Sequence, residues 1–169
     1  ILALGLISAR AEGPSLLFDP ATGEVLSQDR AGEPWYPASL SKLMTAYVVF
    51  HKLREGAMKL DRDLMVSELA ASMPPSKIGV KPGKAVSTDF ALQSLLVYSA
   101  NDMAYVLAEG ASVTYPLFVR EMNAAARKLG MTGTHFVNPN GLHEPRQITT
   151  ARDIGVLVSA LLREFPERA

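Results

Sequence analysis

The chain has 169 residues, 48% of them hydrophobic, which suits one domain with a sizeable core. Lys plus Arg equals Asp plus Glu at 17 each, so its composition indicates no nucleic-acid partner and no acidic membrane surface. The absence of cysteine excludes disulfides and thiolate metal sites, and His51, His135 and His143 lack metal-ligand spacing. We therefore expect neither a metal nor a cofactor.

The first residues predict export. Residues 1–7 are apolar, and Ala9-Arg10-Ala11 supplies the small residues of an A-x-A cleavage site. We expect residues 1–11 to be the remnant of a signal peptide, and residues 12–169 to belong to one domain in the periplasm or cell envelope. The alternative is an ordinary N-terminal strand or helix. The apolar run is too short to span a bilayer.

A hairpin and a core helix are predicted next. Two short strands, 15–18 and 24–28, flank the turn-forming residues 19–23. A helix over about 38–55 should follow and end near Gly56. Its apolar side chains cover nearly every side, as in a buried helix: Leu40, Leu43, Met44, Tyr47, Val48, Val49 and Phe50.

The rest of the chain predicts further helices. Residues 60–86 contain several Pro and Gly, so we expect irregular loops with a short helix near 67–72. Apolar spacing and cap residues predict helices over 88–97 with Thr88 as N-cap, over 102–110, over 115–129, and over 150–163 with a Thr150-x-x-Asp153 capping box. The fold class is therefore α+β.

The hairpin lacks an obvious partner. Two strands alone are marginally stable, and no later stretch predicts a long strand. We therefore expect an incomplete domain, the N-terminal part of a longer protein.

Ser39 and Lys42 form the first candidate pair. Positions i and i+3 of a helix share a face, with Cβ atoms about 5–6 Å apart, so the hydroxyl and the amine can touch. A serine becomes nucleophilic when a base takes its proton, and burial lowers a lysine pKa toward neutrality. The alternative is structural, with Ser39 as a helix cap and Lys42 as a surface residue.

Ser99 and Asn101 form a second candidate motif. The segment Ser99-Ala100-Asn101-Asp102 interrupts two apolar helices, so its polar groups either face solvent or line a cleft. A helix–helix turn, with Ser99 capping and Asn101 bonded to backbone, is the structural alternative.

Ser39-x-x-Lys42 followed by Ser99-x-Asn101 resembles the signature of penicillin-binding proteins and class A β-lactamases. The chain looks like the low-molecular-weight penicillin-binding proteins, the serine-type D-Ala-D-Ala carboxypeptidases. Residues 77–83, 134–142 and 149–153 are also similar to that family, and the likeness covers essentially 14–163. The resemblance implies a β-lactamase/transpeptidase-like fold.

The resemblance also implies site roles. Ser39 would attack the carbonyl between two terminal D-alanines of a peptidoglycan stem peptide, and Lys42 would be its base. Ser99 would pass a proton to the leaving nitrogen, and Asn101 would hold the substrate amide and help orient Lys42. β-Lactams would acylate Ser39 and leave slowly.

One family motif is missing. No K-T-G or K-S-G occurs in the 169 residues; Lys81-Pro82-Gly83 precedes Ser99, and proline cannot donate in a strand ladder. In the family that strand supplies part of the oxyanion hole, and one lost donor costs about 10²–10³ in rate. We expect the chain alone to be poorly active and prone to aggregate, and any membrane attachment to lie downstream.

Two other functions remain open. A class A β-lactamase would need a deacylating glutamate in an E-x-x-x-N loop, but Glu144 is followed by Ile148 instead of Asn, and Ala100 replaces Asp. A non-catalytic peptidoglycan-binding relative would account for the missing motif. Carboxypeptidase, endopeptidase and transpeptidase activities share the motifs present, so they do not identify the exact substrate.

Overall fold

The computed structural model describes residues 13–168; the predicted signal-peptide remnant, residues 1–11, lies outside them. The elements are β1 Ser15–Phe18, β2 Val25–Asp29, a 3₁₀ turn Ala38–Leu40, α1 Ser41–Arg54, β3 Asp63–Met65, α2 Glu68–Ala71, β4 Ala85–Ser87, α3 Thr88–Val97, α4 Asn101–Ser112, α5 Tyr115–Leu129, α6 Ala151–Glu164 and a 3₁₀ turn Pro166–Arg168. The predicted α+β order, a hairpin followed by helices, is confirmed.

Helix α1 is the centre of the fold. It packs against α3, α4, α5 and α6, and both Met44 and Val49 on it are fully buried. The helix ends where Gly56 adopts a positive φ of 73°, a conformation that glycine tolerates well. Because α1 is enclosed by four helices, the side chains at its first turn are held by the core.

The hairpin forms a separate two-stranded sheet. β1 pairs antiparallel with β2, with Ser15 opposite Asp29 and a register shift between Leu17 and Phe18. Its turn is held by Asp19, whose carboxylate accepts a hydrogen bond of 2.8 Å from the Ala21 N–H. β1 packs on α6, so a helix covers the predicted hairpin.

The prediction of only loops and one short helix between residues 60 and 86 was partly wrong. α2 lies where the short helix was expected, but β3 and β4 pair antiparallel, with Asp63 opposite Ser87. Strands of three residues are too short to show the alternation that identifies a strand in sequence.

The predicted cap of α3 was also wrong. Ser87 is the N-cap, and its hydroxyl accepts a hydrogen bond of 3.1 Å from the Phe90 N–H. Thr88 is the first helical residue, buried, and its hydroxyl donates to the Arg62 carbonyl. Serine and threonine are both good caps, so adjacent ones cannot be ranked from sequence.

Two further differences lie beside the candidate site residues. Asn101 was expected before α4 but is its first residue, and Ser99 has a φ of 58° in the linker. Leu40 was expected in the core but is 50% exposed, because it belongs to the 3₁₀ turn and not to α1. Ala38, at the start of that turn, has a φ of 47°.

Candidate active site

The Ser39 hydroxyl and the Lys42 amine are in contact. Lys42 Nζ lies 3.2 Å from Ser39 Oγ. Ser39 is in the 3₁₀ turn, where residues three apart lie almost directly above each other, and Lys42 is in the first turn of α1. The turn therefore brings the two side chains together while Ser39 stays exposed.

Lys42 is buried, and a backbone carbonyl holds its amine. The residue is only 3% exposed, and Nζ donates a hydrogen bond of 2.7 Å to the Asn140 carbonyl. Burial lowers the Lys42 pKa from 10.5 to about 8. At pH 7 about one tenth of such an amine is unprotonated, against roughly one part in 3,000 for an ordinary lysine.

Ser99 joins the pair from the linker between α3 and α4. Its hydroxyl donates a hydrogen bond of 3.0 Å to Ser39 Oγ, across 60 positions of sequence. The positive φ of Ser99 and the bond from the Ala100 N–H to the Ser94 carbonyl, 3.1 Å long, set the direction of the linker. Ser39 thus lies between one basic amine and one hydroxyl.

Asn101 lies close by, but its amide nitrogen is engaged elsewhere. The nitrogen donates to the carbonyls of Pro74 at 3.0 Å and Pro75 at 3.2 Å. Within residues 13–168, the hydrogen bonds of Lys42 run to Ser39 and Asn140, and none to Asn101. The Asn101 amide nitrogen therefore holds the backbone at Pro74 and Pro75. The side-chain oxygen of Asn101 is the group left to accept a hydrogen bond from a ligand.

A cleft of about 320 Å³ opens over Ser39. Its walls come from the 3₁₀ turn, the 75–76 loop, the linker before α4 and the 140–147 loop. The lining residues are Tyr36, Pro37, Ala38, Ser39, Pro75, Ser76, Ser99, Asn101, Asn140, Gly141, Leu142, His143, Glu144 and Gln147. The cleft contains three of the four predicted site residues, and the fourth, Lys42, lies beneath Ser39.

A buried carboxylate supports the 75–79 side of the cleft. Asp102 is fully buried and accepts hydrogen bonds from the backbone N–H groups of Ile78 and Gly79, the shortest at 2.9 Å. The Asn101 N–H also donates to the Ser76 carbonyl at 2.7 Å. The start of α4 therefore positions both Asn101 and the loop that faces Ser39.

Sequence reasoning missed the contribution of the 138–147 loop to the site. Asn140 offers the carbonyl that receives the Lys42 amine, and Gln147 is a buried amide beneath the cleft. Gly141, with φ 86°, lies so near Ala38 that a Cβ would be 2.5 Å from the Ala38 carbonyl carbon. The only local signal was the turn-forming run Asn138-Pro139-Asn140-Gly141.

Residues 13–168 contain neither a metal-binding cluster nor a membrane-spanning helix. No group of three or more His, Asp or Glu in this part of the chain is arranged to hold a metal ion. None of its helices combines the length and the apolar content needed to cross a bilayer.

Known proteins resemble this chain over most of its length. The model of a D-alanyl-D-alanine carboxypeptidase family matches residues 7–169. The carboxypeptidase DacF of Bacillus subtilis is 34% identical over 149 residues, which cover 88% of this chain and 38% of the relative. The chain thus spans about two fifths of the length of that curated relative.

Solved structures agree with this match. The D-alanyl-D-alanine carboxypeptidase DacD of Francisella tularensis superposes with a TM-score of 0.89 at 36% identity, over 94% of this chain and 38% of the other. Penicillin-binding protein 5 of Haemophilus influenzae gives 0.88 at 32% identity, over 91% of this chain and 46% of the other. The expected transpeptidase-like fold is therefore confirmed.

Proposed function

The chain belongs to the D-alanyl-D-alanine carboxypeptidase family, and from this premise we propose that it carries the reactive serine of a serine-type D-Ala-D-Ala carboxypeptidase. The substrate is the D-Ala-D-Ala terminus of peptidoglycan stem peptides. The main support is the 3.2 Å contact between Ser39 Oγ and the buried Lys42 amine at the floor of an open cleft.

In the first step, Ser39 Oγ attacks the carbonyl carbon between the two D-alanines and loses its proton to Lys42. A Lys42 pKa of about 8 makes unprotonated amine available near neutral pH, as a general base requires. The Asn140 carbonyl takes one N–H of the amine, which leaves the nitrogen lone pair for the serine proton.

In the second step, the tetrahedral intermediate collapses and the C–N bond breaks. Ser99 relays the proton that Lys42 took from Ser39: its hydroxyl, which contacts Ser39 Oγ and lines the cleft, gives its proton to the departing D-alanine nitrogen and is reprotonated by the Lys42 ammonium. Asn101 holds the substrate through its amide oxygen, which accepts from a peptide N–H. Water then attacks the acyl-enzyme ester and releases the shortened peptide, so the cycle uses no metal and no cofactor.

β-Lactams enter the same reaction. Their ring amide acylates Ser39, and the ester hydrolyses slowly because the leaving group stays tethered. The similarity to penicillin-binding protein 5 of Haemophilus influenzae supports this part of the proposal. Action on peptidoglycan fits an exported, cell-envelope protein that takes part in wall synthesis and cell shape.

The test is labelling with a fluorescent penicillin, with the adduct mapped by mass spectrometry. Because the 169 residues contain no K-T-G or K-S-G motif, we expect slow labelling, with one adduct, on Ser39, that is absent in Ser39→Ala. Labelling should be at least about 100-fold slower in Lys42→Arg, because a guanidinium stays protonated. The matched control is Lys59→Arg, which makes the same change at an exposed site and should label at the wild-type rate.

Other outcomes would overturn the proposal. An adduct on a residue other than Ser39 would contradict the proposed nucleophile. No adduct in the wild-type chain would favour a non-catalytic wall-binding relative. Fast nitrocefin hydrolysis without an accumulating adduct would favour a β-lactamase, for which Glu144 in the cleft would be the candidate base.

A further inference from the structure

Gln147 is a buried amide that uses all of its hydrogen-bonding capacity. It is 2% exposed, and its oxygen accepts from the N–H groups of Val137 and Asn138, both at 2.8 Å. Its nitrogen donates to Ser41 Oγ at 3.1 Å and to Asn138 Oδ1 at 2.9 Å. A rotated amide would face two N–H donors with its own NH₂ group, so the side chain has one orientation.

Three of these bonds hold Val137 and Asn138, and the fourth reaches Ser41, so Gln147 ties the 137–141 loop to the first turn of α1. Asn138 Oδ1, held by Gln147, also accepts from the Gly141 N–H at 2.8 Å. Asn140 follows two residues after Asn138, and its carbonyl oxygen lies 2.7 Å from Lys42 Nζ. Ser41 directly precedes Lys42 on α1. Gln147 therefore connects the loop that carries the Asn140 carbonyl to the same helix that carries the Lys42 amine.

We propose that Gln147 is a positioning residue for Lys42, because its amide holds the 137–141 loop on Ser41 and so keeps the Asn140 carbonyl against the lysine amine. The assignment rests on the proposed function for its catalytic meaning. Its physical content, that Gln147 sets the environment of the Lys42 amine, can be tested without turnover.

The mechanism has two parts. With the loop in place, one N–H of the amine is taken by Asn140 and the lone pair can face Ser39 Oγ at 3.2 Å. The same loop covers the amine, and burial is the cause of its low pKa. Releasing the loop should admit water and raise the Lys42 pKa toward its ordinary value.

Charged neighbours do not provide a competing cause. The titratable side chains that line the cleft are Tyr36, His143 and Glu144. None of them contributes to the shift of Lys42, for which burial is the identified cause. A rise of the Lys42 pKa in a Gln147 variant therefore reports water access to the amine, since loss of the Asn140 carbonyl alone would destabilise the ammonium and lower the pKa.

The chain contains a matched control clamp. Asn123 accepts from the Phe136 N–H at 2.9 Å and donates to the Phe136 carbonyl at 2.8 Å. It makes the same kind of amide-to-backbone connection one residue before the Gln147 clamp begins, but it lies on α5. Breaking it should loosen the preceding part of the loop without releasing Ser41 or Asn140.

The experiment is a titration of Lys42 by NMR in chain labelled with ¹³C at lysine Cε, with the resonance assigned by its loss in Lys42→Arg. Gln147→Met keeps the side-chain length and removes all four bonds, so we expect the Lys42 pKa to rise by about one unit. Ser41→Ala removes only the bond of Gln147 to α1, leaves the Thr45 hydroxyl bonded to the Pro139 carbonyl, and should give a smaller rise. Asn123→Leu should leave the Lys42 pKa unchanged.

Each outcome decides the assignment. If Gln147→Met fails to fold, Ser41→Ala gives the answer. An unchanged Lys42 pKa in the folded variants, or an equal rise in Asn123→Leu, would overturn the positioning role.

A second readout separates this proposal from the proposed function. A rise of one unit leaves about ten-fold less free amine at pH 7, so penicillin labelling of Ser39 should slow about ten-fold in Gln147→Met. Absence of labelling in the wild-type chain would refute the proposed function, while the titration would still decide the role of Gln147.

Discussion

Replacing Gly141 with alanine should be far more damaging than the size of the change suggests. Gly141 has a φ of 86°, and a Cβ there would lie 2.5 Å from the Ala38 carbonyl carbon. The Ala38 carbonyl oxygen would lie nearer still, and ordinary contact begins near 3.4 Å, so the loop and the 3₁₀ turn must separate by more than about 1 Å. The backbone conformation costs alanine about 1–2 kcal/mol, and the overlap adds about 1–3 kcal/mol.

Gly130 provides the comparison. It ends α5 with a φ of 77°, and a Cβ there would meet nothing within 4 Å. Gly130→Ala should therefore lose only the conformational part, and the entropy that alanine removes from the unfolded chain is shared by both variants. Urea unfolding measures both free energies, and we expect Gly141→Ala to lose about 1–3 kcal/mol more than Gly130→Ala. Equal losses would refute the close approach of the loop to Ala38.

Lys42 should make the chain more stable as pH rises. Its pKa in the folded chain is about 8, below the unfolded value of 10.5, so between these two pH values the unfolded chain binds more protons. Urea titrations should show a rise of up to about 1.4 kcal/mol per pH unit between pH 8 and 10 relative to Lys42→Met; equal slopes would contradict it. Asp102→Asn should lower the unfolding free energy by about 2–3 kcal/mol, because its new NH₂ group would face the N–H groups of Ile78 and Gly79. Asp61→Asn, at an exposed carboxylate, is the control, and equal losses of unfolding free energy in the two variants would rule out a supporting role for Asp102.

The helices were predictable because their signals are local. α5 has the bounds predicted from its apolar spacing and Gly130, and Thr150 caps α6 as expected, accepting from the Asp153 N–H. The second half of that capping box is absent, since the Asp153 carboxylate accepts from the Gly133 N–H instead. A tertiary contact thus gives the Asp153 carboxylate a partner that the capping-box pattern did not predict.

The site residues could likewise be predicted only where their contacts are local in sequence. The Ser39–Lys42 contact was predictable because residues three apart meet in a single turn. Ser99 lies 60 positions away, and only the family resemblance placed it in the site. Gln147 gave no signal, because a glutamine after a turn is ordinarily exposed and its role depends on where Ser41 lies in three dimensions.

The sequence patterns failed at positions where the backbone departs from local preference. Ala38 and Ser99 have positive φ values of 47° and 58°, each costing on the order of 1–2 kcal/mol, and they adjoin the Ser39 hydroxyl from two sides. Positive φ alone does not mark a site, since Val113 has φ 65° and is 85% exposed at the end of α4. Ala38 differs because Gly141 packs against its carbonyl, and Ser99 differs because its hydroxyl is bonded to Ser39. These contacts stabilise a conformation that a continuous helix would exclude, and without it Ser39 would lie along a regular first turn of α1, away from the Ser99 hydroxyl.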